Sequence, residues 1–392
     1  MLRIGIFTHY YKSTNYGGNL QAYALCKFLG SEGYFAEQIS YNRKNDYIFL
    51  KNKRKNHFFL KAIRKIKSIY VKCLKRGVLL KIAKRNNCIR EFNQQIPHTE
   101  EKTKVDLRTI GKEFDCFITG SDQVWHPSAV CNGYLLNFEA TFKISYAASF
   151  SAKGVPDYLK KYYSDCLKQF KAISVREQEG IEIAETLSGK KVEWVLDPTL
   201  LLTADDWNAI AAEKIINEKY IFCFFLGNLS FDKNLIRKYA ERKCFKIVSM
   251  PFLTGVIEKG ANWGNVLKYE ISPNEFLSLI KYAECVFTDS FHATVFSHLF
   301  HKEFFVFNRK GSIGMNDRIY SLTSLFDTQE RFCDTNEKMS LQYFESLSAI
   351  DYNKPFPKFE NMKEKSINFL KDNLKKAEEE RNDPAETAAK FT

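Results

Sequence analysis

Leu2-Arg3-Ile4-Gly5-Ile6-Phe7, then Asn15-Tyr16-Gly17-Gly18-Asn19, then Leu20-Gln21-Ala22-Tyr23-Ala24-Leu25 open the chain. The first run reads as a buried strand over 2–8. The second belongs to a polar, glycine-bearing loop over 12–19. The third has helical spacing near 19–29, stopped by Gly30 and Gly33. A strand, a glycine turn and a helix in that order begin a Rossmann-like unit. The pattern then repeats. Strands are expected over 114–119, 143–149, 171–176 and 192–196, with helices near 78–95, 157–170 and 178–187. A second set places strands at 220–226, 245–250, 285–289 and 303–307, and helices at 232–242, 273–283 and 291–300. Such alternation predicts an α/β protein of parallel sheets covered on both faces.

The expected organisation is two Rossmann-like domains facing across a cleft, residues 1–200 and 201–340. A basic helical insert over 43–95 interrupts the first domain. A helix over 355–381 is expected to return across it, and the tail 382–392 to be disordered. Ligands in such sheets bind beyond the carboxyl ends of the strands, so the site is expected in the loops that follow them.

Composition excludes several classes. With 392 residues, 45% hydrophobic and 15% aromatic, the chain has apolar material for two cores. No run of 18 uncharged apolar residues is present to span a membrane. The opening run lacks the parts of a signal peptide, which points to the cytoplasm. Ten cysteines occur without a CxxC pair, several inside apolar runs. That pattern fits reduced, buried thiols rather than disulfides or a zinc site, and no metal ligands stand out.

The net charge of +13 is local. Residues 41–90 hold 17 Lys and Arg against one acid, Asp46, so the rest of the chain is slightly acidic. Apolar positions at helical spacing over 58–76, with cations opposite, suit an anionic membrane surface at the cytoplasmic inner face. Binding of acceptor phosphate and a plain solvated face are the alternatives. No motif for nucleic acid accompanies the charge.

Four clusters fall at strand ends. They are Asn15 to Leu25; Gly120-Ser121-Asp122-Gln123-Val124-Trp125-His126; Ser174-Val175-Arg176-Glu177 with Leu196-Asp197-Pro198-Thr199; and Thr288-Asp289-Ser290-Phe291-His292-Ala293-Thr294. With Tyr146 to Phe150 and Asn316-Asp317-Arg318-Ile319, the ordered set resembles the polysaccharide pyruvyl transferase family of bacterial exopolysaccharide and capsule synthesis. The likeness runs from about residue 4 to 325.

That resemblance implies a GT-B-like fold, as in two-domain glycosyltransferases, and transfer of pyruvate from phosphoenolpyruvate to a sugar as a ketal. It implies no required cofactor. The acceptor would be a glycan or a lipid-linked oligosaccharide. Many relatives carry an acid where this chain has Asn19.

Read as residues, His292 opens a helix, whose free N–H groups suit phosphate and whose field favours neutral imidazole for acid/base work. Asp122 is a candidate base or hydroxyl binder. Its alternative is to hold its own loop together. Arg176 and Arg318 are candidate oxyanion binders, with Arg309 and Ser290 beside them. Asn15, Gly17 and Gly18 would let backbone approach a ligand. Trp125 offers a face for a sugar, or a core residue. Tyr10 and Tyr11 are plausible sugar contacts. Asp197 reads as a local cap or an orienter of Arg176, which is a structural role. A nucleotide-sugar glycosyltransferase and a non-catalytic glycan-binding protein are the competing functions.

Overall fold

A computed structural model describes residues 1–46, 76–227, 232–254, 257–259, 263–309, 317–333 and 339–382. The helix expected over 58–76, most of the basic segment, Asn316 and the tail after Asn382 lie outside these residues.

The first sheet holds β1 (Arg3–Phe7), β2 (Phe35–Tyr41), β3 (His98–Lys102), β4 (Cys116–Thr119) and β5 (Phe142–Ser145), in the order β3-β2-β1-β4-β5. Every pairing is parallel. β6 (Ile173–Val175) and β7 (Val192–Trp194) pair with each other and continue past β5 through bridges at Ile144–Ala172 and Ala148–Val175. The second sheet is also parallel. It contains β8 (Tyr220–Phe224), β9 (Lys246–Ser249), β12 (Val266–Leu267), β13 (Cys285–Thr288), β14 (Glu303–Phe307) and β15 (Phe332–Cys333), in the order β12-β9-β8-β13-β14-β15. β10 (Phe252–Thr254) and β11 (Ile257–Lys259) form a separate antiparallel hairpin.

In each sheet the strand order reverses about its first strand. Crevices therefore open between β1 and β4 and between β8 and β13. The loops leaving β1, β4 and β13 carry three of the sequence clusters.

The helices are α1 (Tyr16–Ser31), α2 (Arg76–Asn93), α3 (Asp157–Leu167), α4 (Glu179–Ser188), α5 (Ala204–Ile210), α6 (Asn234–Arg242), α7 (Pro273–Lys281), α8 (Phe291–Leu299), α9 (Asp317–Leu325), α10 (Leu341–Ser346) and α11 (Pro357–Asn382). Local chemistry sets their ends. Capping boxes Thr203/Asp206 and Ser272/Glu275 open α5 and α7, the latter with proline in its first turn.

One apolar cluster joins the halves, taking Ile4 and Leu20 from one sheet's layers and Val248 and Phe296 from the other's. Trp207 of α5 lies between Tyr23 of α1 and Phe296 of α8, at ring separations of 5.9 and 4.9 Å. Tyr16 stacks on Phe276 at 5.1 Å, and its hydroxyl donates to the Ile271 carbonyl. α11 packs against elements of the first half of the chain. There Ser366 accepts from the Leu196 N–H, and Arg381 donates to the Met1 carbonyl.

Six strands escape the sequence reading, β2, β3 and the short β10, β11, β12 and β15, and α1 begins earlier than expected. Tyr16, Gly17, Gly18 and Asn19 are its first residues, not loop, with Asn15 as N-cap.

Trp207 is fully buried, so Trp207→Ala is expected to cost about 3–5 kcal/mol of unfolding free energy. Tyr158→Ala, at a residue 72% exposed, should stay within about 0.5 kcal/mol of wild type. Urea denaturation of both variants checks the pair.

Candidate active site

A set of buried charged groups gathers where the strand-end loops of the two sheets meet. From the first sheet come Ser121 and Asp122 after β4, Arg176 after β6 and Asp197 after β7. From the second come Phe291 and His292 at the start of α8, and Arg318 at the start of α9.

Backbone geometry delivers the first group. Gly120 has φ +116, and a Cβ there would lie 2.2 Å from the Tyr146 carbonyl, so the position requires glycine. Asp122 follows at φ +64, in the left-handed region that Asp tolerates better than most residues. Its backbone carbonyl accepts from Val124 and Ser149, while its side chain points to Arg176 Nη2 at 3.5 Å. The loop is thus held by main chain and the carboxylate faces the cluster.

Asp197 is 1% exposed and binds on every side. Oδ1 accepts from the Thr199 N–H at 3.0 Å and its hydroxyl at 2.7 Å. Oδ2 accepts from Arg176 Nη1 and Ser121 Oγ, both at 2.9 Å, and lies 3.6 Å from His292 Nε2. Burial alone would raise this carboxyl. The charges of His292 and Arg176 and the Thr199 bonds outweigh burial and hold it well below the usual carboxylate range. Asp122 shows the same balance: burial raises it, and Arg176, His9, His292 and Arg318 bring it below its ordinary value.

The Arg176 and Arg318 guanidiniums both stand over the Phe291 ring, 4.9 and 5.7 Å from its centroid. Burial and then the neighbouring Arg176 pull Arg318 down to about 10. Arg318 Nη1 reaches Ser151 Oγ at 3.4 Å. Arg176 Nε and Nη2, Arg318 Nε and His292 Nε2 are buried without a hydrogen-bond partner among the described residues. Unmet buried donors of this kind cost free energy, and a group rich in acceptor oxygens would satisfy them.

Gly17 explains how α1 meets His292. A Cβ at 17 would lie 2.0 Å from His292 Nδ1, and one at 18 would lie 2.7 Å from the His9 carbonyl and 3.4 Å from Asp122 Oδ2. The close approach that glycine permits here is to the imidazole. His9 itself, brought down to about 4 chiefly by burial, bonds to the Gln123 carbonyl at 3.0 Å.

Other expected residues have different roles. Trp125 is 0% exposed, packs on Phe150 and Phe170 and donates to the Tyr134 carbonyl. A sugar cannot reach its face, so it is a core residue. Arg309 is engaged by Asp289, through Nε at 3.1 Å and through Nη2 to the Asp289 carbonyl at 2.9 Å. Asp289 also ties down the Leu226 and Gly227 N–H groups, so this pair braces the second sheet's loops. Ser290 and Asn15 cap α8 and α1 through their side-chain oxygens. Asn19 is buried, donating to the Ser13 carbonyl and accepting from Asn93.

Asp197, read as structural, is the residue that links Arg176, Ser121 and His292. Glu177 was not foreseen as an organiser. Its Oε1 accepts from Ser149 Oγ and from the Phe150 and Ser151 N–H groups. No group of three or more His, Cys, Asp or Glu suited to a metal occurs among the described residues.

The profile of the polysaccharide pyruvyl transferase family matches residues 15–311, and the chain belongs to that family. Arg318 lies beyond the matched stretch. No curated protein matches the chain. Similar solved structures include a UDP-N-acetylglucosamine 2-epimerase from Rickettsia bellii (9% identity, 98% of this chain and 99% of that one, TM-score 0.51). They also include a glycosyltransferase from Rickettsia africae (12% identity, 97% and 99%, TM-score 0.50). A third is the UDP-GlcNAc 2-epimerase of Methanocaldococcus jannaschii (10% identity, 94% and 99%, TM-score 0.50). At these identities the likeness concerns the GT-B-like fold alone.

Two outcomes follow from the geometry. Gly17→Ala should displace His292 and abolish turnover while shifting the thermal midpoint far less than Trp207→Ala, read by activity and calorimetry together. Asp197→Asn leaves Arg176 buried beside a neutral amide and should cost about 3–5 kcal/mol. The folded carboxyl lies below its unfolded value of about 3.9. Its stabilisation is therefore full above that pH and fades as pH falls further. Unfolding free energy measured from pH 7 to 3 should drop more steeply below pH 4 in wild type than in Asp197→Asn.

Proposed function

We propose that this polysaccharide pyruvyl transferase family member moves the pyruvyl group of phosphoenolpyruvate onto hydroxyls of a sugar in a surface-polysaccharide precursor, forming a pyruvate ketal. Family membership carries the coarser statement, a transferase acting on polysaccharide. Support for the donor comes from one observation: two buried guanidiniums, Arg176 and Arg318, carry N–H groups without a hydrogen-bond partner beside His292, whose Nε2 faces Asp197 at 3.6 Å. Phosphoenolpyruvate offers a carboxylate and a phosphate, the oxyanions that guanidinium grips in a two-pronged way. The starts of α8 and α1 add N–H groups and partial positive charge.

The reaction has two steps. A sugar hydroxyl oxygen bonds to C2 as C3 gains a proton, which makes C2 tetrahedral, bearing methyl, carboxylate, phosphate and the sugar oxygen. A second hydroxyl then bonds to C2 as its bond to the phosphate oxygen breaks. Inorganic phosphate leaves, and the two hydroxyl protons account for the new methyl hydrogen and one released proton. In this scheme Asp197, 3.6 Å from Nε2, fixes the His292 ring, and the imidazole delivers the proton to C3. Asp122, ionised beside Arg176, orients the attacking hydroxyl. The scheme needs no cofactor.

The acceptor is read as lipid-linked, and the basic segment 43–95 as the part that meets an anionic membrane surface. No described helix is long and apolar enough to cross a membrane.

Thermal-shift titration with phosphoenolpyruvate tests the donor. Wild type and His292→Asn should both be stabilised, while Arg176→Ala and Arg318→Ala should lose the shift and His292→Asn should release no phosphate with acceptor present. Equal shifts in all four proteins would remove the donor site from this cluster.

A further inference from the structure

The loop between β1 and α1 has two sides. His9 and Gly18 border Asp122, whereas Tyr10 to Thr14 line a cavity of about 410 Å3 whose other wall is α2, with Arg90 and Asn93. Asn19, the residue after Gly18, contacts two of the lining residues: it donates to the Ser13 carbonyl at 3.5 Å and accepts from Asn93 at 3.3 Å. The cavity and the charged cluster are thus separated by the first turn of α1, a thickness of about 10 Å.

The volume lies within the roughly 300–1,000 Å3 of ligand pockets, and the lining is of one kind. It combines tyrosine rings, side-chain amides and cations, with no carboxylate. Tyr11 is held in place. Its hydroxyl donates to Glu101, which also accepts from Lys12 at 2.6 Å and Asn42 at 3.0 Å, and Lys12 stands 4.8 Å over the Tyr11 ring. Glu101 thereby fixes an aromatic face and balances Lys12. Arg90 is exposed and makes no ion pair among the described residues. A fixed amphipathic ring beside amide donors and acceptors matches a sugar, apolar on its C–H face and polar at its edge. The uncompensated guanidinium adds a preference for carboxylate or phosphate.

We propose that this cavity is an acceptor subsite. It holds a sugar ring of the glycan next to the one being modified, seated on Tyr11, with an anionic substituent of that glycan against Arg90. The inference rests on the transferase reading for why a glycan is bound, and its test is independent of the donor.

Calorimetric titration of the full chain with three trisaccharides provides it: one neutral, one bearing a uronic acid and one bearing a sugar phosphate. An anionic member should bind about tenfold more tightly than the neutral one, and whether the uronate or the phosphate wins identifies the substituent. Tyr11→Ala should weaken binding of that member about tenfold. Arg90→Ala should bring it down to the neutral affinity. The thermal shift with phosphoenolpyruvate should be unchanged in both variants. Unaltered saccharide affinities in both variants, or no binding by any of the three sugars, would overturn the subsite. If phosphoenolpyruvate gives wild type no shift while the saccharide pattern holds, the donor reading falls and the subsite stands.

Discussion

A carboxylate buried from solvent has to be satisfied by neighbours, and Asp197 is satisfied by residues brought from four strand ends. Thr199 fills one oxygen from its own turn. Arg176 and Ser121 fill the other from β6 and β4, and His292 approaches the same oxygen from the second sheet. Removing any of these leaves a buried charge incompletely met, which is the expensive outcome in a low-dielectric interior. The loops around the cluster are therefore fixed relative to one another by charge, and the reactive groups inherit that order. Arg318 is the exception, since it is aligned through Phe291 and Ser151 rather than through the carboxylate.

Packing reinforces this. The apolar cluster is continuous across the two sheets, with Trp207 and Tyr16 as its links, so the cleft is lined by halves that share a core. His292 sits so close to Gly17 that side-chain bulk at this one position controls the imidazole's place. The GT-B-like architecture thus presents crevices, and the residues at their rims decide what the crevices bind.

Much of the fold was legible because parallel sheets write themselves as apolar runs separated by helices. β4, β8, β13 and β14 are such runs. β2 was not legible, because Gln38 and Ser40 interrupt its apolar pattern although both are buried and hydrogen-bonded. β3 reads His98-Thr99-Glu100-Glu101-Lys102, an edge strand with no apolar signal. Gly17 and Gly18 suggested loop on propensity, yet the Asn15 cap and the room needed by His292 make them the first turn of a helix. The site was half legible. Strand-end position pointed to His292, Arg176 and Asp122, which do converge. Trp125 was open between a sugar face and a core residue, because Phe150 and Phe170, the packing partners that place it in the core, come from other elements. The reading of Asp197 as a local cap or an orienter of Arg176 matches its Oδ1 bonds and its Arg176 bond, whereas the sequence held no trace of Ser121 and His292 at the same Oδ2.

In the proposed reaction C2 of phosphoenolpyruvate receives sugar oxygens while its C3 is protonated. Incubating the protein in deuterated water with phosphoenolpyruvate and the glycan-lipid fraction of cells lacking the activity measures this directly, by phosphate assay and NMR of the product. Phosphate release matched by ketal formation, with solvent deuterium in the ketal methyl group, is the expected result. A modified glycan formed without phosphate release, or release of a nucleotide from a sugar donor in its place, would contradict it.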